Sequence, residues 1–447
     1  MTTICRFAPS PTGFLHVGNI RAAIINFLYA KKTGGKFYLR LDDTDVERTR
    51  DEYRDMIIID MNWLSLEYDK LFRQSDRLAI YEEAKNKLIQ SGRLYECYES
   101  NEELNLMRKS QIASGIRPIY NRASLHLTEE QKQHLRDQGL KPYYRFLLHD
   151  NSTSWEDKIK GKITFPGRHF SDPVLVRENN VPTYTFCSVV DDIEFGITDI
   201  IRGEDHITNT AIQIQICEAL GGTLPDFSHL ALVKANEGKI SKREGGFDVK
   251  SLREDNFEPL AIINLLSQIG SSGGLNIYNN IDDLIKNFDL SKFSKSATNY
   301  DLEELVTINQ KLLAVMSFEQ IKPRLAEIEI NQIISENFWN SIRANLNFLS
   351  EIKYWIEVCY GKFRYQNKKS DMEFLTLAGE LLPNDTGKPD SWQQWLDAIK
   401  IKTDRKGKEL FMPIRLALSG KEHGPELKNL ITLIDRNEIL SRLKYFN

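Results

Sequence analysis

The chain has few cysteines, no long apolar run and no large excess of charge of one sign. Its 447 residues include five widely spaced cysteines, at positions 5, 97, 187, 217 and 359. This usage excludes a disulfide framework and fits a reducing compartment. No apolar stretch approaches the roughly 20 residues that a helix needs to cross a bilayer, and no charged-then-apolar leader opens the chain. We therefore expect a cytoplasmic protein without membrane contact.

The net charge of -4 excludes a uniformly basic surface, so that contact with nucleic acid would need a local patch. From Lys400 to Asn447 the chain carries eleven Lys and Arg against six Asp and Glu. Such a run is most often a solvated helical surface, and a nucleic-acid patch is the alternative. The length predicts about three domains, because single cores stop growing near 250–300 residues.

A strand–helix–strand pattern opens the chain. Residues 2–8 predict a buried strand, 19–32 a helix with one apolar face, and 36–41 a second strand. This order begins a parallel α/β sheet, and ligands bind beyond the carboxyl ends of its strands. Helices are predicted next, at 50–65 and 76–91.

The segment 95–180 interrupts this pattern, because it is polar and broken by Gly and Pro. It indicates an inserted domain. The α/β pattern resumes at 183–190, which we read as a strand, and continues with strands at 199–202 and 229–234. A helix is predicted at 207–220, and beyond about residue 245 helices dominate.

The first motif lies between the first strand and the first helix. Residues 9–13 predict a Pro-rich turn that leads into the helix N-terminus, where unpaired amides and the helix dipole favour phosphate. Gly18 has no Cβ and allows close approach, His16 can donate a hydrogen bond to a phosphate oxygen, and Asn19 can contact ribose or phosphate. An isolated His-x-Gly is more often a surface feature, but the strand, turn and helix around it favour the phosphate interpretation.

The second motif is the run 238–243, Gly-Lys-Ile-Ser-Lys-Arg. Three closely spaced cations repel one another unless an anion lies between them, and a triphosphate satisfies them. Alone, the run would be read as a basic surface loop. Together, the two motifs predict the two halves of an ATP site that activates a carboxylate as its adenylate.

Two arginines are candidates for carboxylate binding, because arginine binds carboxylate through two parallel N–H bonds. Arg6 and Arg202 each lie at the end of a predicted strand, and Tyr184 at another. Structural alternatives are an Arg202 pairing with Glu204 or Asp205, and a Tyr184 in the core.

The run Arg6–Gly13 with Leu15-His16-x-Gly18 resembles the HIGH motif of class I aminoacyl-tRNA synthetases, in particular the glutamyl and glutaminyl branch. The run 238–243 resembles their KMSKS loop, with Ile240 at the usual Met or Leu position. The likeness to glutamyl-tRNA synthetases covers almost the entire chain. Further markers stand at 39–45, 182–184, 189–192, 201–206 and 411–415.

The resemblance implies which residues form the site. His16 and Lys242 would stabilise the charge of the transferred phosphoryl group. The implied ATP-binding residues are His16, Gly18, Asn19, Gly203, Glu204, Lys239, Ser241, Lys242 and Arg243. The implied glutamate-binding residues are Arg6, Ser10, Asp42, Tyr184, Ser188 and Arg202.

Two of these positions depart from common family usage. Many bacterial glutamyl enzymes have Glu where this chain has Asp42, at the ammonium-binding position, and some have Asn where it has Ser188. Asp42 keeps the charge but shortens the reach by one methylene. The Arg6 and Arg202 pair favours glutamate over glutamine, because two guanidinium groups facing a neutral amide would be costly.

The implied fold is an α/β Rossmann-type class I catalytic domain with an inserted acceptor-binding domain, followed by a mostly α-helical C-terminal half. We place the boundaries as follows: the catalytic domain at 1–94 and 181–236, the insert at 95–180, the stem-contact region with the basic loop at 237–300, and the anticodon-binding region at 301–447.

Some family members hold a structural zinc in the insert with several cysteines. Here Cys97 stands alone, and 120–126 contains no cysteine. One thiolate and the distant His126 do not make a closed tetrahedral site, so we predict no zinc and a packed Cys97. We expect Mg²⁺ to accompany ATP, held mainly by phosphates and water.

The expected partner is tRNA-Glu. The insert has basic residues within 117–122, and the C-terminal run has Lys and Arg that can neutralise phosphates. Phe411 can stack on an unpaired base, although a core position is its more common role. The family is commonly monomeric, so we expect a monomer.

The sequence therefore predicts ATP-dependent activation of L-glutamate and its transfer to the terminal ribose of tRNA-Glu. The nearest alternative is a paralogue that charges tRNA-Gln, additionally or exclusively. A catalytically silent RNA-binding paralogue is disfavoured because the ATP motifs are intact. Another carboxylate-activating nucleotidyl transferase, such as a pantothenate synthetase, is disfavoured by the helical tail.

Overall fold

The structure is a computed structural model, and it describes residues 2–45, 47–235, 248–328, 330, 334–388 and 390–445. The chain divides into two compact units. The first comprises Met1–Asp255, Ile262–Asn276 and Asn280–Asp301, and the second comprises Asn256–Ala261, Ile277–Asn279 and Leu302–Asn447.

The strands of the first unit form a mainly parallel central sheet and two smaller sheets. In chain order they are β1 (Ile4–Phe7), β2 (Lys36–Leu41), β3 (Lys70–Arg73), β4 (Leu94–Cys97), β5 (Tyr143–Phe146), β6 (Thr153–Asp157), β7 (Gly161–Phe165), β8 (Val174–Val176), β9 (Asp199–Gly203), β10 (Asp226–Leu230), β11 (Val233–Ala235) and β12 (Thr298–Tyr300). The central sheet has the order β3-β2-β1-β9-β10-β6-β7, in which only the β6–β7 pair is antiparallel. A second sheet has the order β4-β5-β8, and β11 pairs with β12.

Helices connect these strands. Those before residue 301 are α1 (Val17–Lys32), α2 (Asp51–Trp63), α3 (Leu78–Gln90), α4 (Asn101–Ala113), α5 (Glu129–Asp137), α6 (Tyr184–Glu194), α7 (Ile207–Ala219), α8 (Val249–Glu254), α9 (Pro259–Gln268) and α10 (Ile281–Asn287).

Helix α1 forms because its apolar residues recur at helical spacing. Ile20, Ile24, Phe27 and Leu28 are buried. The helix ends where Gly34 takes a positive φ of 64°, a conformation that suits a residue without a Cβ. The helix predicted at 19–32 is confirmed, together with the strands predicted at both of its flanks.

Two other predictions were wrong. Residues 183–190, read as a strand, begin helix α6, and Tyr184 is its first residue. The strand predicted at 229–234 is two elements, β10 and β11, separated by Ala231 and Leu232. Within the segment 95–180, strands β6 and β7 pair with each other and extend the central sheet through β10.

The second unit is helical. Its helices are α11 (Leu302–Val315), α12 (Phe318–Glu327), α13 (Glu336–Ile342), α14 (Ile352–Tyr360), α15 (Met372–Glu380), α16 (Ser391–Lys402), α17 (Gly407–Ser419), α18 (Leu427–Leu433) and α19 (Arg436–Leu443). Trp339, Trp355 and Trp395 are almost completely buried in its core. Burial of aromatic side chains of this size supplies much of the hydrophobic free energy of such a unit.

All five cysteines lie in the described part of the chain, where each is buried and none forms a disulfide. Among the described residues we find no helix that is both long and apolar enough to cross a membrane.

Candidate active site

A cleft of about 540 Å³ opens beside the carboxyl ends of β1 and β9 and the N-terminus of α1. β1 and β9 are parallel neighbours, so their ends meet at one edge of the sheet. Eight of the residues predicted from the sequence line this cleft: Arg6, Ser10, His16, Gly18, Asn19, Tyr184, Arg202 and Gly203.

His16 is the N-cap of α1. Its Nδ1 accepts hydrogen bonds from the backbone N–H groups of Gly18 at 3.1 Å and Asn19 at 3.4 Å. Nδ1 therefore carries no proton, and the neutral ring has its N–H at Nε2. A Cβ at position 18 would lie 2.9 Å from the His16 ring, so glycine is needed for this cap. The sequence suggested that these amides bind phosphate. In the structure they donate hydrogen bonds to the His16 imidazole.

Arg202 lies at the end of β9 and is 6% exposed. Its Nη2 donates to Thr210 Oγ1 and to Gln213 Oε1, both at 2.6 Å. Its Nε and Nη1 have no hydrogen-bond partner among the described residues, and the guanidinium forms no ion pair there. Burial lowers the pKa of Arg202 against the opposing influence of Tyr184 and Asp192, and the charge of Arg6 adds to the lowering. The predicted alternative of a pairing with Glu204 or Asp205 is not found.

Arg6, 3% exposed, has a different environment. Its Nε donates to Asp192 Oδ1 at 3.1 Å, and its Nη2 to Asp192 Oδ2 at 3.4 Å. Burial alone would raise the pKa of Asp192, but the charges of Arg6 and Arg40 outweigh it and the pKa is lowered. Asp192 therefore stays ionised and holds Arg6 at the floor of the cleft.

Asp42 and Ser188 do not line the cleft. Arg40 donates to Asp42 Oδ1 at 2.6 Å, to Ser188 Oγ at 3.1 Å and to Asp192 Oδ1 at 2.8 Å. Burial raises the pKa of Asp42 to about 6, against the lowering effect of Arg40. Their predicted contact with glutamate stays a prediction.

Glu204 also lies outside the cleft lining. Its carboxylate pairs with Lys160 and accepts the backbone N–H of Leu232 at 3.0 Å. The whole second motif, 238–243, with Lys239, Ser241, Lys242 and Arg243, lies outside the described residues.

Some residues in and beside the cleft were not among the predicted ligand-binding residues. His206 and Asp205 line the cleft, and burial lowers the pKa of His206 to about 4. Asp192, which holds Arg6, was noticed only as part of the run 189–192. The available signal was the acidic pair 191–192 directly after the apolar run 186–190, because a carboxylate beside buried apolar residues requires a cationic partner.

Cys97 is fully buried in the insert, with Sγ 3.8 Å from the Tyr120 hydroxyl. Burial raises the pKa of its thiol to about 11. The Tyr120 hydroxyl in turn donates to Glu99 Oε1 at 2.6 Å. A protonated thiol in such surroundings behaves as a small apolar side chain.

The C-terminal basic run presents most of its cations to solvent. Lys400, Lys402, Lys406 and Lys408 are exposed, while Arg405 pairs with Asp371 at 2.9 Å. Phe411 is half-buried, and its ring stacks on Trp392 with centroids 6.2 Å apart. The ring thus belongs to the packing of α16 against α17.

The cleft can bind an anion. Arg202 contributes a buried positive charge with two unused nitrogens, and a buried charge without a counter-ion is costly. A carboxylate is a fitting partner because it accepts two parallel N–H bonds. His16 adds a donor at the helix N-terminus, where phosphate oxygens are stabilised.

Comparison with known proteins agrees with this chemistry. Residues 2–307 match the family described as class I tRNA synthetases (E and Q), catalytic domain, and residues 298–446 match an anticodon binding domain. Together the two matches cover almost the whole chain.

Individual relatives are similar over their full lengths. A protein of Rickettsia felis named glutamate–tRNA ligase 1 is 49% identical over 441 residues, 98% of either chain. A protein of the same name from Orientia tsutsugamushi is 50% identical over 445 residues, 99% of either chain. The crystal structure of a glutamate tRNA ligase from Elizabethkingia meningosepticum, in complex with its amino acid, superimposes with a TM-score of 0.86 at 27% identity, and the match covers 99% of this chain and 98% of that one.

Proposed function

Since the chain belongs to the class I glutamyl- and glutaminyl-tRNA synthetase family, we propose that it is a glutamate–tRNA ligase that joins L-glutamate to tRNA-Glu at the expense of ATP. The observation that carries the proposal is the pair of buried arginines, Arg6 and Arg202, in the same cleft as His16 and the N-terminus of α1. The arginines suit a dicarboxylic amino acid, and the His16 Nε2 donor at the helix end suits a phosphate.

In the first step, the α-carboxylate of glutamate attacks the α-phosphorus of ATP in line, and pyrophosphate leaves. The reaction needs positioning and charge stabilisation rather than a covalent enzyme intermediate. We assign His16 Nε2 to donate to a phosphate oxygen in the transition state. Lys242, with Lys239, Ser241 and Arg243, would follow the departing pyrophosphate.

Arg6 and Arg202 bind the carboxylates of glutamate, with Tyr184 and Ser10 at the wall of the cleft. Asp42 is assigned to the ammonium group through the resemblance alone. In the second step, the terminal ribose 2′-OH of tRNA attacks the activated carbonyl and releases AMP. We further propose that tRNA binds before glutamate is activated, as the family resemblance implies.

We propose that tRNA contacts three segments: the insert at 95–180, the stem-contact region at 237–300 and the anticodon-binding region at 301–447. The exposed lysines 400, 402, 406 and 408 support phosphate binding by the last of these. We also propose that the protein is cytoplasmic and that it is a monomer. Light scattering of the purified protein would test the monomeric state.

Mg²⁺ would accompany ATP, held by phosphates and water, and would offset the phosphate charge. We propose that the insert holds no structural zinc. The insert at 95–180 has one cysteine, Cys97, and one thiolate does not make a closed tetrahedral site. Elemental analysis that finds about one zinc per chain would contradict the proposal.

The deciding experiment is glutamate charging of tRNA-Glu and tRNA-Gln transcripts side by side. We expect ATP-dependent charging of tRNA-Glu. Charging of both transcripts, or of tRNA-Gln alone, would identify the paralogue that supplies Glu-tRNA-Gln to an amidotransferase. Binding of tRNA without charging of either transcript would overturn the proposal in favour of a silent RNA-binding protein.

A further inference from the structure

A chain of buried polar groups runs away from the Arg202 guanidinium across three adjacent strands. Arg202 lies on β9, His229 on β10 and Asp157 at the end of β6, and Arg202 and His229 are register partners. Thr210 on α7 completes the chain. Its Oγ1 lies 2.6 Å from Arg202 Nη2 and 2.9 Å from His229 Nε2, and His229 Nδ1 lies 2.5 Å from Asp157 Oδ2.

Asp157 anchors the far end of this chain. Its Oδ1 accepts backbone N–H groups of Ile159 at 3.0 Å, Lys160 at 2.9 Å and His229 at 3.2 Å. Burial opposes ionisation of Asp157, but the hydrogen bonds from His229 and from the backbone outweigh it and lower the pKa. Asp157 is therefore a carboxylate that only accepts, and His229 must carry a proton on Nδ1.

The direction of the remaining bonds follows from this anchor. A neutral His229 with its proton on Nδ1 presents a lone pair at Nε2, so the Thr210 hydroxyl donates to it. The Thr210 oxygen then accepts the N–H of Arg202. Burial lowers the pKa of His229, with Asp157 acting against it and Arg202 and Lys160 adding to it, so the ring is neutral at neutral pH.

A protonated ring would reverse this order. Nε2–H would donate to the Thr210 oxygen, and the hydroxyl proton would turn to the His206 carbonyl, which lies 3.2 Å away. The Thr210 oxygen would then receive two donors, and a second cation would face Arg202. The neutral relay is therefore the state that holds the guanidinium.

We propose that Thr210, His229 and Asp157 are positioning residues for glutamate, forming a directed relay that holds the Arg202 guanidinium for a substrate carboxylate. Gln213 takes the second proton of Nη2, at 2.6 Å, so that Nε and Nη1 remain for the ligand. This inference rests on the proposed function and adds to that function the residues that fix the Arg202 rotamer.

The test is Thr210→Val, which keeps the shape of the side chain and removes the hydroxyl, against Thr210→Ser, which keeps the hydroxyl. Loss of a hydrogen bond to a buried charged group should raise the KM for glutamate roughly tenfold or more in Thr210→Val. We expect kcat to change by less than about threefold and the KM for ATP to stay constant. Thr210→Ser should restore glutamate use.

His229→Asn provides the second variant, because an amide near Nδ1 can still donate to Asp157 while nothing remains at Nε2. A relay predicts that Thr210→Val and His229→Asn are less than additive in the KM for glutamate, since either change breaks the same chain. Additive effects, or equal KM values for Thr210→Val and Thr210→Ser, would overturn the relay.

Calorimetric titration of glutamate binding to each variant separates this inference from the proposed function. Weaker binding by Thr210→Val, alongside a wild type that charges no tRNA with glutamate, would keep the relay and overturn the ligase assignment. Charging by the wild type, with equal glutamate affinity in all variants, would do the reverse.

Discussion

The two arginines at the floor of the cleft are held in opposite ways. Arg6 faces a carboxylate, Asp192, which also binds Arg40 at 2.8 Å. Arg202 faces the neutral side chains of Thr210 and Gln213, and in the described part of the chain no carboxylate pairs with it.

Because of this difference, Arg6 and Arg202 contribute differently to the binding of an anion. The Arg6 charge is already balanced inside the protein, so this guanidinium contributes directed N–H groups but little net attraction. Among the described residues, the Arg202 charge has no carboxylate in contact and is opposed only by the more distant Asp192, so an incoming carboxylate gains most of its electrostatic stabilisation there. A neutral amide of similar shape would leave that charge unpaired, which is a physical basis for rejecting glutamine.

Asp192→Asn removes the counter-charge of Arg6. Because a buried carboxylate with two guanidinium partners is lost, we expect the free energy of unfolding to fall by about 3–5 kcal/mol, measured by urea denaturation. Glu194→Gln on the same helix is the control, since Glu194 is exposed and should change stability by less than about 0.5 kcal/mol. Equal effects of the two substitutions would mean that Asp192 does not hold the arginines.

Arg202→Ala removes the second arginine of the cleft. We expect kcat/KM for glutamate to fall roughly 10²- to 10³-fold, because one partner of a buried charge pair disappears, while the KM for ATP stays nearly constant. Steady-state aminoacylation measures both quantities. Arg202→Lys keeps the charge without the planar fork and should lie between the two. An unchanged glutamate requirement in Arg202→Ala would remove this residue from the pocket.

His16→Ala separates phosphate chemistry from carboxylate binding, because it leaves both arginines in place. Adenylate formation should fall by roughly 10²-fold with the loss of one transition-state donor, and the KM for glutamate should change little. His16→Asn is the matched variant, since Asn can still cap α1 but lacks the Nε2 donor. Full activity of His16→Asn would assign His16 to the helix cap alone.

Lowering the pH should change the folding stability in opposite directions through His229, in the Arg202 network, and through Asp42, in the Arg40 network. The pKa of His229 is lowered in the folded protein from 6.5, so below about pH 6.5 the unfolded chain binds a proton that the folded one does not, and stability falls. The pKa of Asp42 is raised to about 6, so as the pH drops below 6 the folded protein takes up this proton first, and stability rises. Each contribution is at most about 1.4 kcal/mol per pH unit.

Urea unfolding of His229→Asn and Asp42→Asn between about pH 5 and 7 isolates these contributions. His229→Asn should lose less stability than the wild type as the pH falls, and Asp42→Asn should lose more. The same pH dependence in all three proteins would contradict the assignment.

The sequence predicted the parts of this site that are local. β1, α1 and β2 follow from the spacing of apolar residues, and Arg6, His16 and Gly18 lie directly at the ends of these elements. Their positions depend on neighbours within a few residues. The residue that holds Arg6 could not be found in this way, because Arg6 and Asp192 are 186 positions apart.

Helix α6 shows why propensity failed at Tyr184. Its sequence, Tyr-Thr-Phe-Cys-Ser-Val-Val-Asp-Asp-Ile-Glu, is rich in β-branched and aromatic residues that favour strands. Phe186, Val189 and Val190 are buried against other parts of the same core, and this tertiary packing outweighs local preference. The helical spacing also directs Ser188, Asp191 and Asp192 into the interior, where Arg40 contacts all three. Arg6 contacts Asp192 there as well.

The buried cysteines have a practical consequence. Burial raises the pKa of the Cys97 and Cys217 thiols to about 11 and that of Cys359 to about 12, and it raises those of Cys5 and Cys187 as well. Maleimides and disulfide reagents attack the thiolate, so the native protein should resist them without added reductant. In Lys402→Cys the exposed new thiol would then be the most reactive one, and a fluorophore attached there would test the proposed tRNA contact without a cysteine-free background.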